Sequence, residues 1–304
     1  MLLGTNIMGF LKSGYTVPEA LERVKAHGLT CVDFPGFRVN MPQSRPVHEQ
    51  LYWAKLLERM DIDPFGCFYL PKNNPGSKKA DVRMAALEEM KPSARMINNL
   101  GGKAIVFCEA SGRAQYEEDL SKEEAFYNAV ETVKRFCEWT YNEVNPNLKV
   151  LLEIAPYGGS LCSVEKLKEF CDLVDMPNCY INADLGHFNL QKVNGNRFKL
   201  AGDRMISVHM SDDDNHGDEG KIYERDCLIG QGTTDFKAYF KALKEMDIEG
   251  NARKAGLKDC YCMLETFILN NGIADYDTVI TRAMDYIFET LPGVFDSSIR
   301  VPEL

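Results

Sequence analysis

Several ionisable side chains stand at the ends of short apolar runs, where a buried charge needs a partner. Three carboxylates and one imidazole do so in four successive runs, LLEIAP, INADLGHF, SVHMSD and MLETF, as Glu153, Asp184, His209 and Glu265. A buried carboxylate or imidazole is costly unless it is paired or bound to a metal ion. Carboxylates that converge repel one another unless a cation lies between them. The pattern therefore predicts a divalent metal site.

The chemistry of this ligand set also indicates which ions it would hold. Oxygen-rich ligation with a single imidazole suits Mn²⁺, Mg²⁺ or Co²⁺ better than a structural zinc. We expect Mn²⁺ first, with Mg²⁺ or Co²⁺ as alternatives. For any one residue alone, a core carboxylate held by an arginine or by backbone amides explains the sequence equally well. The coincidence of four such strand ends is harder to explain in that way.

Four further polar residues near strand ends are candidates for substrate binding. Glu109 follows the run VFC, and His187 and Asp212 each lie three residues after a predicted ligand. His216 lies in the acidic stretch DDDNHGDEG. Each has an alternative: a salt bridge from Glu109 to Arg113, and a solvated position for His216 and for the aspartates beside it. For Asp212, the spacing from His209 favours a contact with substrate or with a ligand.

The elements that must position these residues alternate along the chain. The short apolar runs predict strands at Leu2–Ile7, Leu29–Phe34, Ile62–Leu70, Ala104–Cys108, Lys149–Ile154, Cys179–Ala183, Met205–Met210 and Cys260–Glu265. Apolar residues at helical spacing predict helices at Val17–His27, His48–Met60, Ala80–Asn99, Lys122–Val144, Val164–Val174, Phe236–Met246 and Tyr276–Leu291, with a weaker one at Leu190–Ala201. Eight strands alternating with eight helical segments predict an α/β fold, a single (β/α)8 TIM barrel.

The barrel accounts for the position of the candidate residues, because catalytic groups of such barrels sit at the carboxyl ends of the strands. A doubly wound sheet is the main competitor. It is disfavoured because the first strand is followed by GTNIMGF, which lacks the glycine fingerprint G-x-G-x-x-G. We expect one domain over residues 1–304, with a long loop at 211–234 after the seventh strand. Loops of that length are usually functional lids or disordered.

Composition excludes some classes of protein. The 304 residues include 35 Lys and Arg against 45 Asp and Glu, a net charge of −10, which argues against an open nucleic-acid surface. No stretch of 18 apolar residues indicates a membrane span. The ten cysteines form no CxxC pair, and the N-terminus has no signal-peptide pattern. We therefore expect a cytoplasmic protein without nucleic-acid or membrane partners.

The metal-site pattern resembles that of the xylose isomerase-like TIM-barrel superfamily, and within it the group of ketose 3-epimerases and hydroxypyruvate isomerases. The most specific pieces are the Asp-x-x-His of Asp184 and His187, the His-x-x-Asp of His209 and Asp212, and GQGTTDF at 230–236. The resemblance implies the ligand set Glu153, Asp184, His209 and Glu265. It also implies that Glu153 and Glu265 act as proton acceptor and donor on opposite faces of the substrate, and that His187 bonds a substrate oxygen.

The implied activity is that of a sugar isomerase or epimerase acting on a keto sugar or related polyol through a metal-stabilised enediolate. Two departures keep alternatives open: ketose 3-epimerases carry a second glutamate where this chain has Gly159, and an arginine where it reads SDDDNH. Relatives that eliminate a leaving group are therefore alternatives, namely the catalytic subunit of C-glycoside deglycosidases, which acts on 3-keto-glycosides, and lyases of the inosose-dehydratase type.

The sequence gives less support to two other functions, a non-catalytic binding barrel and an endonuclease. A non-catalytic binding barrel would be expected to lose at least one of the four ligands, and all four are present. Endonuclease IV shares the fold but needs more histidines than the five found here and a basic face for DNA. The expected partner is a small carbohydrate substrate. A homo-oligomer is compatible with the superfamily, and a small partner subunit is expected only for a C-glycoside deglycosidase.

Overall fold

The computed structural model describes residues 1–36, 42–108, 120–154, 160–213, 226–266 and 275–296. Eight parallel strands of this part close into a barrel in the order β1-β10-β7-β6-β5-β4-β3-β2. Their bounds are β1 Leu2–Asn6, β2 Cys31–Pro35, β3 Asp63–Tyr69, β4 Ala104–Cys108, β5 Lys149–Glu153, β6 Cys179–Asp184, β7 Met205–Met210 and β10 Tyr261–Leu264. The predicted (β/α)8 barrel is confirmed.

Helices surround the barrel in the described ranges. They are α1 Met8–Lys12, α2 Val17–Ala26, α3 Val47–Met60, α4 Ala80–Asn99, α5 Lys122–Trp139, α6 Val164–Val174, α7 Leu185–Leu190, α8 Phe236–Glu245, α9 Ile248–Lys254 and α10 Tyr276–Thr290. The barrel strands are buried along almost their whole length. This is the burial expected of parallel strands covered by helices on one face and by packed side chains in the barrel on the other. None of these helices is long and apolar enough to cross a membrane.

Local sequence signals explain where several helices begin. Thr16 and Ser121 each cap a helix by accepting a hydrogen bond from the backbone amide of the glutamate three residues later, and the carboxylate of that glutamate accepts one from the amide of the cap residue. These capping boxes satisfy amides that a helix start leaves without partners. Asp235 caps α8 by accepting from the amide of Ala238, so the segment GQGTTDF does end in a helix cap.

Some predicted elements differ from the observed ones. The helix predicted at Lys122–Val144 is α-helical only to Trp139 and ends in a π-helical turn, Thr140–Val144. The weaker helix predicted at Leu190–Ala201 is instead α7 followed by a 3₁₀ segment, Gly195–Arg204. The short helices α1 and α9 were not predicted, because five to seven residues hold too few turns for an apolar period.

The loop predicted at 211–234 has paired residues at its two ends. Asp212–Asp213 forms strand β8, which pairs antiparallel with β9, Asp226–Cys227. Residues 214–225 lie outside the described ranges. A short ribbon beside the carboxyl end of β7 therefore flanks the undescribed residues on both sides.

Candidate metal centre

The four predicted ligands lie at the carboxyl ends of neighbouring barrel strands. Glu153 ends β5, Asp184 ends β6, His209 is the penultimate residue of β7, and Glu265 directly follows β10. All four are buried, and Glu265, at 6% exposure, is the most accessible. Because parallel strands end at the same rim, side chains far apart in the sequence meet there.

The ligand atoms of these residues form one compact group. Each residue offers one ligand atom, and these atoms lie within 4.8 Å of one another. Each residue also has one buried polar atom without a hydrogen-bond partner among the described residues: Glu153 Oε1, Asp184 Oδ2, His209 Nδ1 and Glu265 Oε2. Buried polar atoms without partners are costly. A divalent cation would satisfy all four at once, so the donor set fits such an ion.

The second carboxylate oxygen of two ligands is held by neighbouring groups. Asn182 Nδ2 donates to Glu153 Oε2 at 2.9 Å, and Ser207 Oγ donates to Asn182 Oδ1 at 2.6 Å. Ser211 Oγ donates to Asp184 Oδ1 at 2.6 Å. These bonds fix each carboxylate while leaving its other oxygen towards the centre, an arrangement typical of metal sites.

The imidazole of His209 lies between carboxylates on both sides. Its Nδ1 is 2.5 Å from Glu265 Oε2 and 3.1 Å from Glu153 Oε2. Its Nε2 is 3.0 Å from Oδ2 of Asp33, a buried residue of β2. Asp33 is absent from the residues predicted above. It carries the same signal as the others, an acid near the end of an apolar run, here LTCVDF.

Burial and charge shift the pKa values of the metal-free centre in opposite directions. Burial alone would raise the pKa of Glu153, but the imidazoles of His187 and His209 beside it hold it below its usual value. Burial raises the pKa of Glu265 against the attraction of His209. Burial alone would lower the pKa of His209, but the charge of Glu265 and its other acidic neighbours raise it well above the usual value. The two glutamates therefore differ in their affinity for a proton.

His187 lies beside the centre, in α7. Its backbone amide donates to Asp184 Oδ1 at 2.8 Å, which makes Asp184 the N-cap of this helix. Its Nδ1 is 3.1 Å from the carbonyl oxygen of Ile154 and 3.3 Å from Glu153 Oε1. The structure thus brings His187 together with the predicted ligands, and its contact with substrate stays a prediction.

Asp212 lies on the ribbon beside the centre, where its carboxylate is engaged by backbone amides. Oδ2 accepts from Gly230 N at 2.8 Å and from Gly232 N at 2.9 Å, and Oδ1 accepts from Thr234 N at 3.1 Å. The carboxylate therefore anchors residues 230–234. A contact between Asp212 and substrate stays a prediction, and Glu109 and His216 lie outside the described residues.

Two further side chains lie at the same rim. The ring of Phe68, at the end of β3, meets the ring of His209 edge to face, with centroids 5.9 Å apart. Asn6 ends β1, and its Oδ1 accepts from the backbone amide of Met8 at 2.9 Å. Its buried Nδ2 has no hydrogen-bond partner in the described ranges.

Sequence comparisons find relatives that span most of the chain. A Haemophilus influenzae protein provisionally named L-ribulose-5-phosphate 3-epimerase is 24% identical over 256 residues, covering 79% of this chain and 83% of the relative. An L-ribulose 3-epimerase of a Methylomonas species is 27% identical over 170 residues, which cover 54% of this chain and 53% of that protein.

Solved structures share the fold at low sequence identity. The zinc-bound IolI protein superimposes with a TM-score of 0.77 at 18% identity, covering 97% of this chain and all of that one. A D-psicose 3-epimerase crystallised in the presence of D-fructose gives a TM-score of 0.71 at 15% identity, covering 96% and 100%. At this identity, the likeness supports the fold.

A family model matches residues 21–253, more than two thirds of the sequence. The match includes three of the four clustered residues, and Glu265 follows it. It agrees with the closed parallel barrel and with the ligand cluster at its carboxyl rim. The chain belongs to the xylose isomerase-like TIM barrel family.

Proposed function

We propose that the protein is a divalent-metal-dependent sugar isomerase or epimerase that moves a proton at the carbon beside the carbonyl group of a keto sugar. The observation that carries this proposal is the buried cluster of four ligand residues, each with a polar atom that has no hydrogen-bond partner among the described residues. The names of the two sequence relatives, which refer to ribulose and its 5-phosphate, support a ketose as the substrate class.

Glu153, Asp184, His209 and Glu265 would hold the ion, which we expect to be Mn²⁺, with Mg²⁺ or Co²⁺ as alternatives. When bound, the ion supplies a Lewis acid that makes the proton beside the carbonyl group more acidic. The carbonyl and hydroxyl oxygens of a ketose are hard donors that suit the same ions as the carboxylates. The burial of the cluster strengthens these electrostatic effects because it excludes water.

Proton transfer falls to the two glutamates at the rim. One removes the proton to give an enediolate of the substrate, and the other returns a proton to the opposite face, which inverts the carbon. His187, 3.3 Å from Glu153, would bond the substrate oxygen beside the reacting carbon.

The remaining predicted contacts complete the proposal. Glu109, Asp212 and His216 are proposed to contact the substrate. The cytoplasmic location and a homo-oligomeric state are proposals from the sequence. The one alternative that a specific observation favours is a lyase, because Gly159 stands where ketose 3-epimerases carry a second glutamate. A lyase would use the same proton removal and then expel a leaving group.

A comparison of two glutamine variants with a surface control tests the proposal. Wild type, Glu153→Gln, Glu265→Gln and the exposed control Glu245→Gln would be assayed with Mn²⁺ on ribulose, ribulose 5-phosphate, psicose, inososes and 3-keto-glycosides. Loss of a proton-transfer group is expected to cost at least about 100-fold in turnover. The control is expected to retain full activity because Glu245 lies on the outer helix α8.

Product analysis by NMR separates the two outcomes. A ketose with an inverted carbon or a moved carbonyl group supports the isomerase or epimerase, and an unsaturated product supports the lyase. Undiminished turnover in Glu265→Gln with an intact fold would contradict the proposed proton transfer. Circular dichroism of each variant provides the control for folding.

A further inference from the structure

Asp33 is a buried carboxylate that faces the metal centre from the opposite side of the barrel. It lies in β2, is fully buried, and pairs in register with Asn6 of β1. The register between β2 and β3 shifts between Val32 and Asp33. Irregularities of this kind redirect a side chain and occur beside active sites. The local backbone therefore explains how a residue of β2 reaches the centre of the rim.

The contacts of Asp33 point to a single partner. Its Oδ2 lies 3.0 Å from Nε2 of His209, and both side chains are at most 1% exposed. Among the described residues, no lysine or arginine lies within ion-pair distance of Asp33, and His209 is the group hydrogen-bonded to its carboxylate. A buried carboxylate that served packing alone would be expected to lie against an arginine, a lysine or several backbone amides. This carboxylate lies against a metal ligand instead.

The chemistry of the contact decides which nitrogen of His209 carries a proton. An ionised carboxylate only accepts hydrogen bonds, so Nε2 is the donor when Asp33 carries its charge. A neutral imidazole protonated at Nε2 has its lone pair on Nδ1. Nδ1 is the atom that lies among the other ligands, 2.5 Å from Glu265 Oε2 and 3.1 Å from Glu153 Oε2. In the neutral form of the ring, the Asp33 contact therefore leaves the metal-facing nitrogen free to bind a cation.

We propose that Asp33 is a positioning residue, which holds His209 with the proton on Nε2 so that Nδ1 serves as the metal ligand. The inference rests on the metal centre of the proposed function and assigns a further residue to it. Removal of a group that orients a ligating histidine typically weakens metal binding by about 10–100-fold.

Metal affinity in two Asp33 variants tests this role directly. Asp33→Ala removes the acceptor, and Asp33→Asn keeps an oxygen that can accept but removes the charge. Affinity for Mn²⁺ and Zn²⁺ would be measured by calorimetry and by competition with a fluorescent chelator. We expect an affinity about 10–100-fold lower for Asp33→Ala and an intermediate loss for Asp33→Asn.

Asp63→Asn is the matched control. Asp63 begins β3, pairs in register with Cys31, and contacts Lys258 at the other end of the barrel. This variant removes a carboxylate from the same barrel without touching His209, and its metal affinity should stay within about two-fold of wild type. A folded Asp33→Ala protein that also stays within two-fold would overturn the proposal.

The protonation of His209 gives a second readout that needs no Asp33 variant. In wild-type protein with ¹⁵N-labelled histidine, long-range ¹H–¹⁵N spectra should show a proton on Nε2 of His209 both without metal and with Zn²⁺ bound. His209→Gln assigns the signal among the five histidines. A zinc-loaded protein whose His209 lacks the Nε2 proton would overturn the positioning role alone. Failure of the wild type to bind any divalent ion would overturn both this role and the proposed function.

Discussion

At the scale of residues, the centre concentrates negative charge that a cation would neutralise. Burial raises the pKa of Asp184 and of Glu265, and in both cases the neighbouring carboxylates contribute to the shift. The metal-free protein therefore stores an unfavourable arrangement at the rim. Metal binding should relieve it and stabilise the whole barrel.

The Glu265→Gln substitution should have opposite effects on the stability of the metal-free and of the metal-bound protein. In the metal-free protein the amide replaces a carboxylate that repels its neighbours, so we expect a midpoint of thermal unfolding equal to or above that of wild type. With Mn²⁺ at about 100 times its Kd for wild type, the wild type should gain about 2.7 kcal/mol and the variant much less.

Thermal denaturation with chelator and with excess Mn²⁺ measures both effects. Equal stabilisation of wild type and Glu265→Gln by the ion would contradict the assignment of Glu265 as a ligand. The exposed Glu245→Gln variant serves as the control and should respond to the ion as wild type does.

At this scale, the sequence predicts only those site residues that can be recognised as ionisable groups at the ends of apolar runs. Glu153, Asp184, His209 and Glu265 are visible as ionisable residues at the ends of apolar runs, and the structure brings all four together. Asp33 carries the same signal, but its importance depends on contact with a residue 176 positions away. Spacing along one strand contains no information about that contact.

At the scale of elements, Asp212 joins two segments that flank the undescribed residues 214–225. Three backbone amides of residues 230–234 donate to its carboxylate, and Thr233 N donates to the carbonyl oxygen of Asp213 at 2.9 Å. The ribbon of β8 and β9 lies beside this junction. We infer that the Asp212 carboxylate fixes the backbone that leads into α8.

Asp212→Ala should therefore lower stability before it affects chemistry. Loss of a charged acceptor for three buried or half-buried amides is expected to cost about 3 kcal/mol, since hydrogen bonds to charged groups contribute about 1.5–3 kcal/mol and do not add fully. Urea unfolding measures the loss, with the exposed Asp203→Ala as control. Unchanged stability together with a raised KM would instead support the substrate contact expected from the His-x-x-Asp spacing.

At this scale, an element is predicted accurately from the sequence when its apolar residues repeat over several turns or alternations. α4 and α6 begin and end at the predicted residues because long apolar periods define them. The ribbon of β8 and β9 has only two residues in each strand and no apolar alternation. The hydrogen bonds from residues 230–234 to Asp212 hold this pair of strands in place, and its own sequence carries no strand signal.

At the scale of the whole molecule, contacts between the first and the last strand and between an early and the last helix close the barrel. β1 pairs with β10, and α2 is joined to α10 through the carboxylate of Asp277. Asp277 Oδ1 accepts from Arg23 Nε at 2.9 Å and lies 2.7 Å from His27 Nε2. Burial alone would raise the pKa of Asp277, but its hydrogen bonds with Arg23 and His27 lower it.

This closure gives a stability that depends on pH. The pKa of Asp277 is lower in the folded than in the unfolded chain, so its contribution is complete above the unfolded value near 4 and is lost as the pH falls further. Asp277→Asn should cost about 1–2 kcal/mol at pH 7, a modest value because the site is partly open to solvent. Urea unfolding at pH 7, 5 and 3.5 measures the difference from wild type. A difference that stays constant or grows towards pH 3.5 would contradict this account.

The fold of the whole chain is predictable because the β/α period repeats around the barrel. Structures with the same fold share as little as 13–18% of its sequence, so the architecture tolerates changes at most positions. The substrate is less predictable, because proteins that share a barrel can differ widely in the residues that bind their substrates.

The central claim is that the buried centre moves a proton at the carbon beside a carbonyl group, and solvent exchange tests it most directly. The protein would be incubated in deuterium oxide with each member of the sugar panel, first with Mn²⁺ and then with a chelator. We predict that deuterium enters a substrate beside its carbonyl group with Mn²⁺ and that the chelator abolishes this uptake. A substrate that turns over without taking up deuterium, or uptake that continues undiminished with chelator, would contradict the claim.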